Sequence, residues 1–160
     1  MELFKEKFRN FYKWVKGTEL VELDDIDVEE DPVRPELTLG WRITKGRKIY
    51  GLKYEDEIEG IICVAFTNDI PHNVKELDMM SELADIKDEK NIAIAYTVWS
   101  RKRGAGREIM NKVIDYAKKN KIKRLVTLSP LTPMATHYHI RNGAKQISIN
   151  KETQNFEYQI

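Results

Sequence analysis

The densest run of chemistry-bearing residues is Arg101-Lys102-Arg103-Gly104-Ala105-Gly106-Arg107. Glycines at 104 and 106 let the backbone turn tightly and aim several N–H groups at one point. Four cations flank that point, and an apolar helical stripe begins directly after it, so a helix dipole adds to the field. The ligand this combination suits is a pyrophosphate. A plain tight turn with a solvated basic cluster is the competing reading, and the strand–loop–helix setting is what favours a ligand. The dinucleotide fingerprint fails, because its third glycine falls on Ile109 when counted from Gly104. No Gly-Lys-Ser/Thr follows either.

The histidines are the other titratable candidates. His137 and His139 lie two apart in a helical pattern, so they turn to roughly opposite sides and cannot easily share a metal. No metal site is expected. His72 falls in a turn and should be solvated. The single cysteine, Cys63, sits in an apolar run and can form no intrachain disulfide, which suits a reducing compartment.

These residues need elements to position them. Residues 2–16 carry Leu3, Phe4, Phe8, Phe11, Tyr12 and Val15 at helical spacing. The acidic stretch that follows, with Pro32 and Pro35 at its end, reads as a loop. Strands are expected at Leu37–Thr44, Lys48–Tyr54, Ile61–Thr67, Asn91–Trp99 and Arg124–Leu128, with a closing pair at Ala144–Asn150 and Asn155–Ile160. Helices are expected at Val74–Ala84, at residues 106–120 on the stripe Ile109, Met110, Val113, Ile114 and Ala117, and at Pro133–Asn142. The alternation argues a mixed α/β (α+β) sheet covered by helices. Residues 1–160 read as one domain: 1–36 an N-terminal helix and acidic loop, 37–160 the core sheet with the ligand loop at 100–107.

The net charge is only +1, so bulk charge names no partner. Its distribution is uneven. Residues 19–36 hold nine acidic groups against one basic group, Arg34, while residues 101–124 hold ten basic groups against two acidic ones, Glu108 and Asp115. The basic surplus is enough to attract phosphates. No stretch approaches the roughly 20 apolar residues of a membrane span. The N-terminus lacks the apolar block of a signal peptide, so a cytoplasmic location is expected.

The loop is similar to the acyl-coenzyme A loop of the GNAT superfamily, R/Q-x-x-G-x-G/A, in the same strand–loop–helix position. Further stretches resemble one branch of it, the catalytic domain of malonyl-CoA decarboxylase. They are Val64-Ala65-Phe66-Thr67-Asn68-Asp69-Ile70-Pro71 with His72-Asn73-Val74; Tyr96-Thr97-Val98; Thr127-Leu128-Ser129-Pro130; and Tyr138-His139-Ile140-Arg141-Asn142-Gly143-Ala144. The resemblance covers roughly residues 60–160 and implies a mostly antiparallel sheet of about six to seven strands with about four helices. There are departures. Only eight residues separate Pro130 from His139, where that family has a long insertion, and its loop is less basic. A small relative that keeps the fold and the cofactor but changes substrate or reaction fits these differences.

The resemblance implies that an acyl-coenzyme A thioester is the substrate. It makes His139 the proton donor to the carbanion left when carbon dioxide departs, a task suited to imidazole. It places the hydroxyl partner on Thr97, which could equally be a β-branched strand residue, with Ser100 as the fallback. Val98, Trp99, Ser100, Arg101, Lys102, Arg103, Gly104, Ala105, Gly106, Arg107 and Ser129 would contact the coenzyme. Ser129 also reads as a cap or turn residue, Asn142 as a helix cap and Tyr138 as an aromatic core residue. The leading reading is decarboxylation of a malonyl-type acyl-CoA. The rivals are a GNAT N-acyltransferase that moves an acetyl group to an amine and, third, a non-catalytic phosphate- or nucleic-acid-binding module. Nucleic acid ranks last because only Trp99 and Tyr116 interleave the cations. The partner is then a small-molecule acyl-CoA, with no membrane and the oligomeric state open.

Overall fold

A computed structural model describes residues 17–160; the helix expected at 2–16 lies outside the described residues. The chain forms β1 (Glu19–Leu23), a 3-10 turn (Val28–Glu30), α1 (Leu39–Arg42), β2 (Lys48–Tyr54), β3 (Glu57–Thr67), α2 (Val74–Lys87) and β4 (Ile92–Ser100). It continues through α3 (Ala105–Lys119), β5 (Arg124–Thr127), β6 (Ser129–Pro130), α4 (Pro133–Arg141), β7 (Lys145–Ile149) and β8 (Thr153–Tyr158). All eight strands join one sheet in the order β1-β2-β3-β4-β5-β8-β6, with β7 on β8. Every pairing is antiparallel except β4 with β5, which α3 connects as a crossover. The sheet is thus mostly antiparallel, as expected, with one strand more than the expectation allowed.

Apolar alternation in β3 explains why the sheet is covered on both faces. Ile62, Val64 and Phe66 join the cluster under α3, with Ile109, Met110 and Val113. Ile61, Cys63 and Ala65 join the opposite cluster, with Leu77 from α2 and Trp41 from α1. Among the described residues no helix is long and apolar enough to cross a membrane.

Two expectations need correction. The acidic stretch is not loop throughout: Glu19–Leu23 pairs along its whole length with β2, from Glu19↔Lys53 to Leu23↔Ile49. It works as an edge strand because Leu20 and Leu23 pack inward while Glu19 and Glu22 stay in solvent. The strand expected at Leu37–Thr44 is instead the single turn α1. The Thr38 hydroxyl caps it by accepting from the Trp41 N–H at 3.1 Å. A short apolar run does not separate strand from helix by periodicity, and the cap decides it.

Two irregularities in β4 shape the centre of the sheet. Its register with β3 slips between Cys63↔Thr97 and Val64↔Ala95, leaving Tyr96 as a bulge residue. Its pairing with β5 stops at Ala95↔Thr127, apart from a last bond from the Leu128 N–H to the Ala95 carbonyl at 3.0 Å. Beyond this point β4 runs on to Ser100 while the segment after β5 turns into β6, which pairs with β8. The sheet therefore splits.

Candidate active site

The loop after β4 leads directly into the first turn of α3. Gly104 takes φ 85° and serves as N-cap of α3 with no side-chain cap bond. The α3 amides at Ala105 and Glu108 are used locally, by the Lys102 and Gly104 carbonyls. Among the described residues no backbone carbonyl outside the helix takes the Gly106 or Arg107 N–H. At Gly106 a Cβ would come within 3.1 Å of the Tyr138 ring, and the Tyr138 hydroxyl donates to the Gly106 carbonyl at 2.5 Å. Gly104 is needed for its backbone angle and Gly106 for close packing on α4. Arg101, Lys102, Arg103 and Arg107 are exposed, and Ala105 is buried.

The split supplies the second part. The Arg101 N–H donates to the Glu59 carbonyl at 2.7 Å. Alternation along an antiparallel ladder then turns Trp99 and Thr97 toward β3, and the Val98 and Ser100 backbone groups toward the open side. An extended ligand arm can pair there as a strand would. From Arg101 back to Tyr96 is five residues, about 16 Å at roughly 3.3 Å each.

The far end of the split is closed by charged side chains that sequence reasoning missed. Arg34 places its Nε on the Tyr96 carbonyl and its Nη2 on the Leu128 carbonyl, both at 3.0 Å. Its guanidinium replaces the next rung of the ladder. Asp31 accepts from the Thr97 hydroxyl at 2.8 Å and from Arg42 Nη1 at 2.7 Å, an ion pair with both side chains fully buried. Arg42 also donates to the Leu37 and Arg34 carbonyls and to the Cys63 Sγ. Burial works to lower its pKa, but the bonds to Asp31 and Cys63 outweigh that and raise it. Burial pushes the Cys63 thiol up to about 11, so it is no nucleophile at neutral pH. The one available signal was Arg34 itself, a lone cation between two prolines in an acidic run.

At the loop end Glu30 holds Arg101, with Nη2–Oε2 at 2.7 Å and Nε–Oε1 at 3.0 Å. The Arg101 bond is the largest influence lowering the Glu30 pKa. One short segment, Glu30 to Arg34, therefore touches both ends of the split.

The structure does not bring Thr97 and His139 together. Thr97 points to Asp31 on the α1–α2 face. His139 is buried on the α3–α4 face, stacked on Phe156 with ring centroids 5.1 Å apart and its Nδ1 2.7 Å from the Tyr158 hydroxyl. Desolvation pushes its pKa down to about 4, so the imidazole is neutral at pH 7. His137 and His72 are exposed. Ser129 is buried, its hydroxyl 2.8 Å from that of Thr127 inside the sheet. Thr132, not Ser129, caps α4. Trp99 is buried on the α1–α2 face and Ser100 is exposed. Asn142 is the C-cap of α4. Tyr138 packs against the α3 core, where burial raises its pKa.

No curated protein matches the chain in sequence. Among solved structures it is similar to an acetyltransferase of Bacillus subtilis in complex with CoA, at 11% identity and TM-score 0.62, over 89% of this chain and 97% of that one. A probable acetyltransferase of Staphylococcus epidermidis matches at 15% identity and TM-score 0.61, over 88% and 98%. A malonyl-CoA decarboxylase of Agrobacterium vitis matches at 20% identity and TM-score 0.57, over 72% of this chain and 34% of that one. The chain thus spans about a third of the decarboxylase it resembles, and at these identities the likeness shows the fold. The sequence model described as Acetyltransferase (GNAT) family matches residues 8–143, and with the split sheet and the glycine loop in place, the chain belongs to that family.

Proposed function

We propose that the protein is an acyl-coenzyme A enzyme that removes carbon dioxide from a malonyl-type acyl-CoA and leaves the shorter acyl-CoA. The glycine loop and the first turn of α3 hold the pyrophosphate, with Arg101, Lys102, Arg103 and Arg107 around it. The pantetheine arm lies along the open side of Val98, which puts the acyl group near Tyr96. The observation that carries the reading is the closure of that end. Asp31, Arg34, Arg42, Cys63 and Thr97 are each at most 7% exposed there. Acyl transfer needs a channel that admits an amine acceptor, whereas loss of carbon dioxide needs no second substrate.

In the reaction the bond from the α-carbon to the carboxylate breaks and its electron pair moves into the thioester as an enolate. Hydrogen-bond donors at the split stabilise the enolate oxygen, and the α-carbon then takes a proton. His139 is the source that the resemblance names. It is neutral through burial and lies on the α3–α4 face, so it serves only if the α-carbon is reached through the split from that face, and the imidazolate it leaves takes a proton back from water. Thr97 contributes only if it exchanges Asp31 for the substrate. The test is mass spectrometry of malonyl-CoA incubated with the protein and no amine, with His139→Asn as the partner variant. The expected outcome is acetyl-CoA and carbon dioxide from the natural chain, and bound but intact thioester with the variant. Intact malonyl-CoA, with acetyl-CoA consumed only when an amine is added, selects the N-acyltransferase reading instead. That alternative is supported by the near-complete coverage of the two acetyltransferase structures.

A further inference from the structure

The two arginines at the end of the split are held in different ways. The Arg42 guanidinium is bonded to the Asp31 carboxylate, whereas Arg34 meets Asp31 through its backbone N–H alone. That carboxylate is fully committed. One oxygen accepts from the Val33 and Arg34 backbone amides and from Thr97, and the other accepts from Arg42. Arg34 is 7% exposed, and among the described residues its guanidinium bonds only to neutral carbonyls. Glu36 and Asp31 both act on it through space, Glu36 the more strongly and from an exposed position. A buried cation with no carboxylate in hydrogen-bond contact among the described residues is costly, and an anion bound at its open fork would offset that cost.

The bonding pattern says where that anion would sit. Nε and Nη2 form the side-on fork that holds the Tyr96 and Leu128 carbonyls. The end-on fork, Nη1 with the second proton of Nη2, has no hydrogen-bond partner among the described residues. Two parallel N–H groups of this kind match a carboxylate bidentately. The guanidinium lies at the closed end of the split, beyond the path that the pantetheine arm would follow.

We infer that Arg34 is the receptor for a carboxylate at the end of the acyl chain, so that the split selects acyl-CoA thioesters of dicarboxylic acids over those of plain fatty acids. This rests on the reading that the split holds an acyl-CoA. Arg34 is a positioning and specificity residue here: pairing with the carboxylate orients the bond to be broken but stabilises the bound substrate at least as much as the enolate. Its loss therefore raises KM far more than it lowers kcat.

The experiment is calorimetry of coenzyme A, propionyl-CoA and malonyl-CoA with the full chain, using His139→Asn where turnover would consume the ligand. Propionyl-CoA carries a methyl where malonyl-CoA carries the carboxylate. Malonyl-CoA is expected to bind at least about tenfold more tightly than propionyl-CoA, the size of a charge-assisted hydrogen-bond pair. Arg34→Met should bring the two within about twofold while coenzyme A itself binds as before, and Arg34→Lys should keep part of the preference. A ratio near one in the natural chain overturns the inference, as does a full preference surviving in Arg34→Met. If the Met variant does not fold, the natural chain and the Lys variant decide. Turnover of malonyl-CoA tests the decarboxylation and this ratio tests Arg34, so either can fail without the other.

Discussion

The glycine loop and the closed end of the split both use arginine against carboxylate, yet they do opposite things. Arg101 and Glu30 pair in solvent, at 37% and 36% side-chain exposure. Such pairs contribute about 0–1 kcal/mol and exchange readily. Arg42 and Asp31 pair at zero exposure, where removing either partner strands a charge. The lesson is that burial, not residue type, decides whether an ion pair is a replaceable contact or part of the frame. An exposed arginine can trade its carboxylate for a phosphate, while a buried one fixes the backbone around it.

The largest expected effect comes from the buried side. Asp31→Ala should destabilise the fold by about 3–5 kcal/mol in urea denaturation, whereas the double variant Asp31→Leu with Arg42→Met should recover most of that loss. If the single variant costs under about 1 kcal/mol, the two regions do not differ as stated.

His139 extends the comparison to a buried base. Its folded pKa of about 4 lies below the ordinary histidine value of 6.5. Between those pH values the unfolded chain holds a proton that the folded chain lacks, so stability rises with pH there. Falling from pH 7 to 4 should therefore cost up to about 3 kcal/mol from this group, and His139→Gln should flatten that part of the profile. A pH profile unchanged by the substitution breaks the assignment.

The smallest effects belong to the loop. Arg101→Ala should weaken coenzyme A binding by about 1–3 kcal/mol. Glu30→Gln should strengthen it by no more than about 1 kcal/mol, because it removes a competing anion. Both effects should shrink with added salt, and an Arg101 effect insensitive to salt would place that side chain away from the phosphates.

Much of this was legible along the chain because it is local. The glycines, the cations and the apolar stripe of α3 lie within one continuous stretch, and their chemistry depends on the turn they make there. β3 and β4 were legible for a similar reason: runs buried on both faces read as continuous apolar segments. The acidic segment was not legible as β1, since an edge strand keeps its charges in solvent and needs only Leu20 and Leu23 to hold it. Thr97 was singled out, but its partner Asp31 lies 66 residues away and no spacing announces the pair.

The sequence by itself determined the glycine loop, the central strands, the helix that follows them and the opposite sides to which His137 and His139 turn. Each follows from periodicity and turn chemistry within a few residues. Tertiary structure alone decided which face of the sheet Thr97 and His139 occupy, where β4 parts from β5, and that Arg34 fills the gap. A β-bulge shifts side chains to the other face by a single residue, and a parallel pairing ends wherever its partner strand turns away. Both depend on neighbours distant in the chain, and so does the burial that turns Asp31 and Arg42 from solvated charges into a fixed pair.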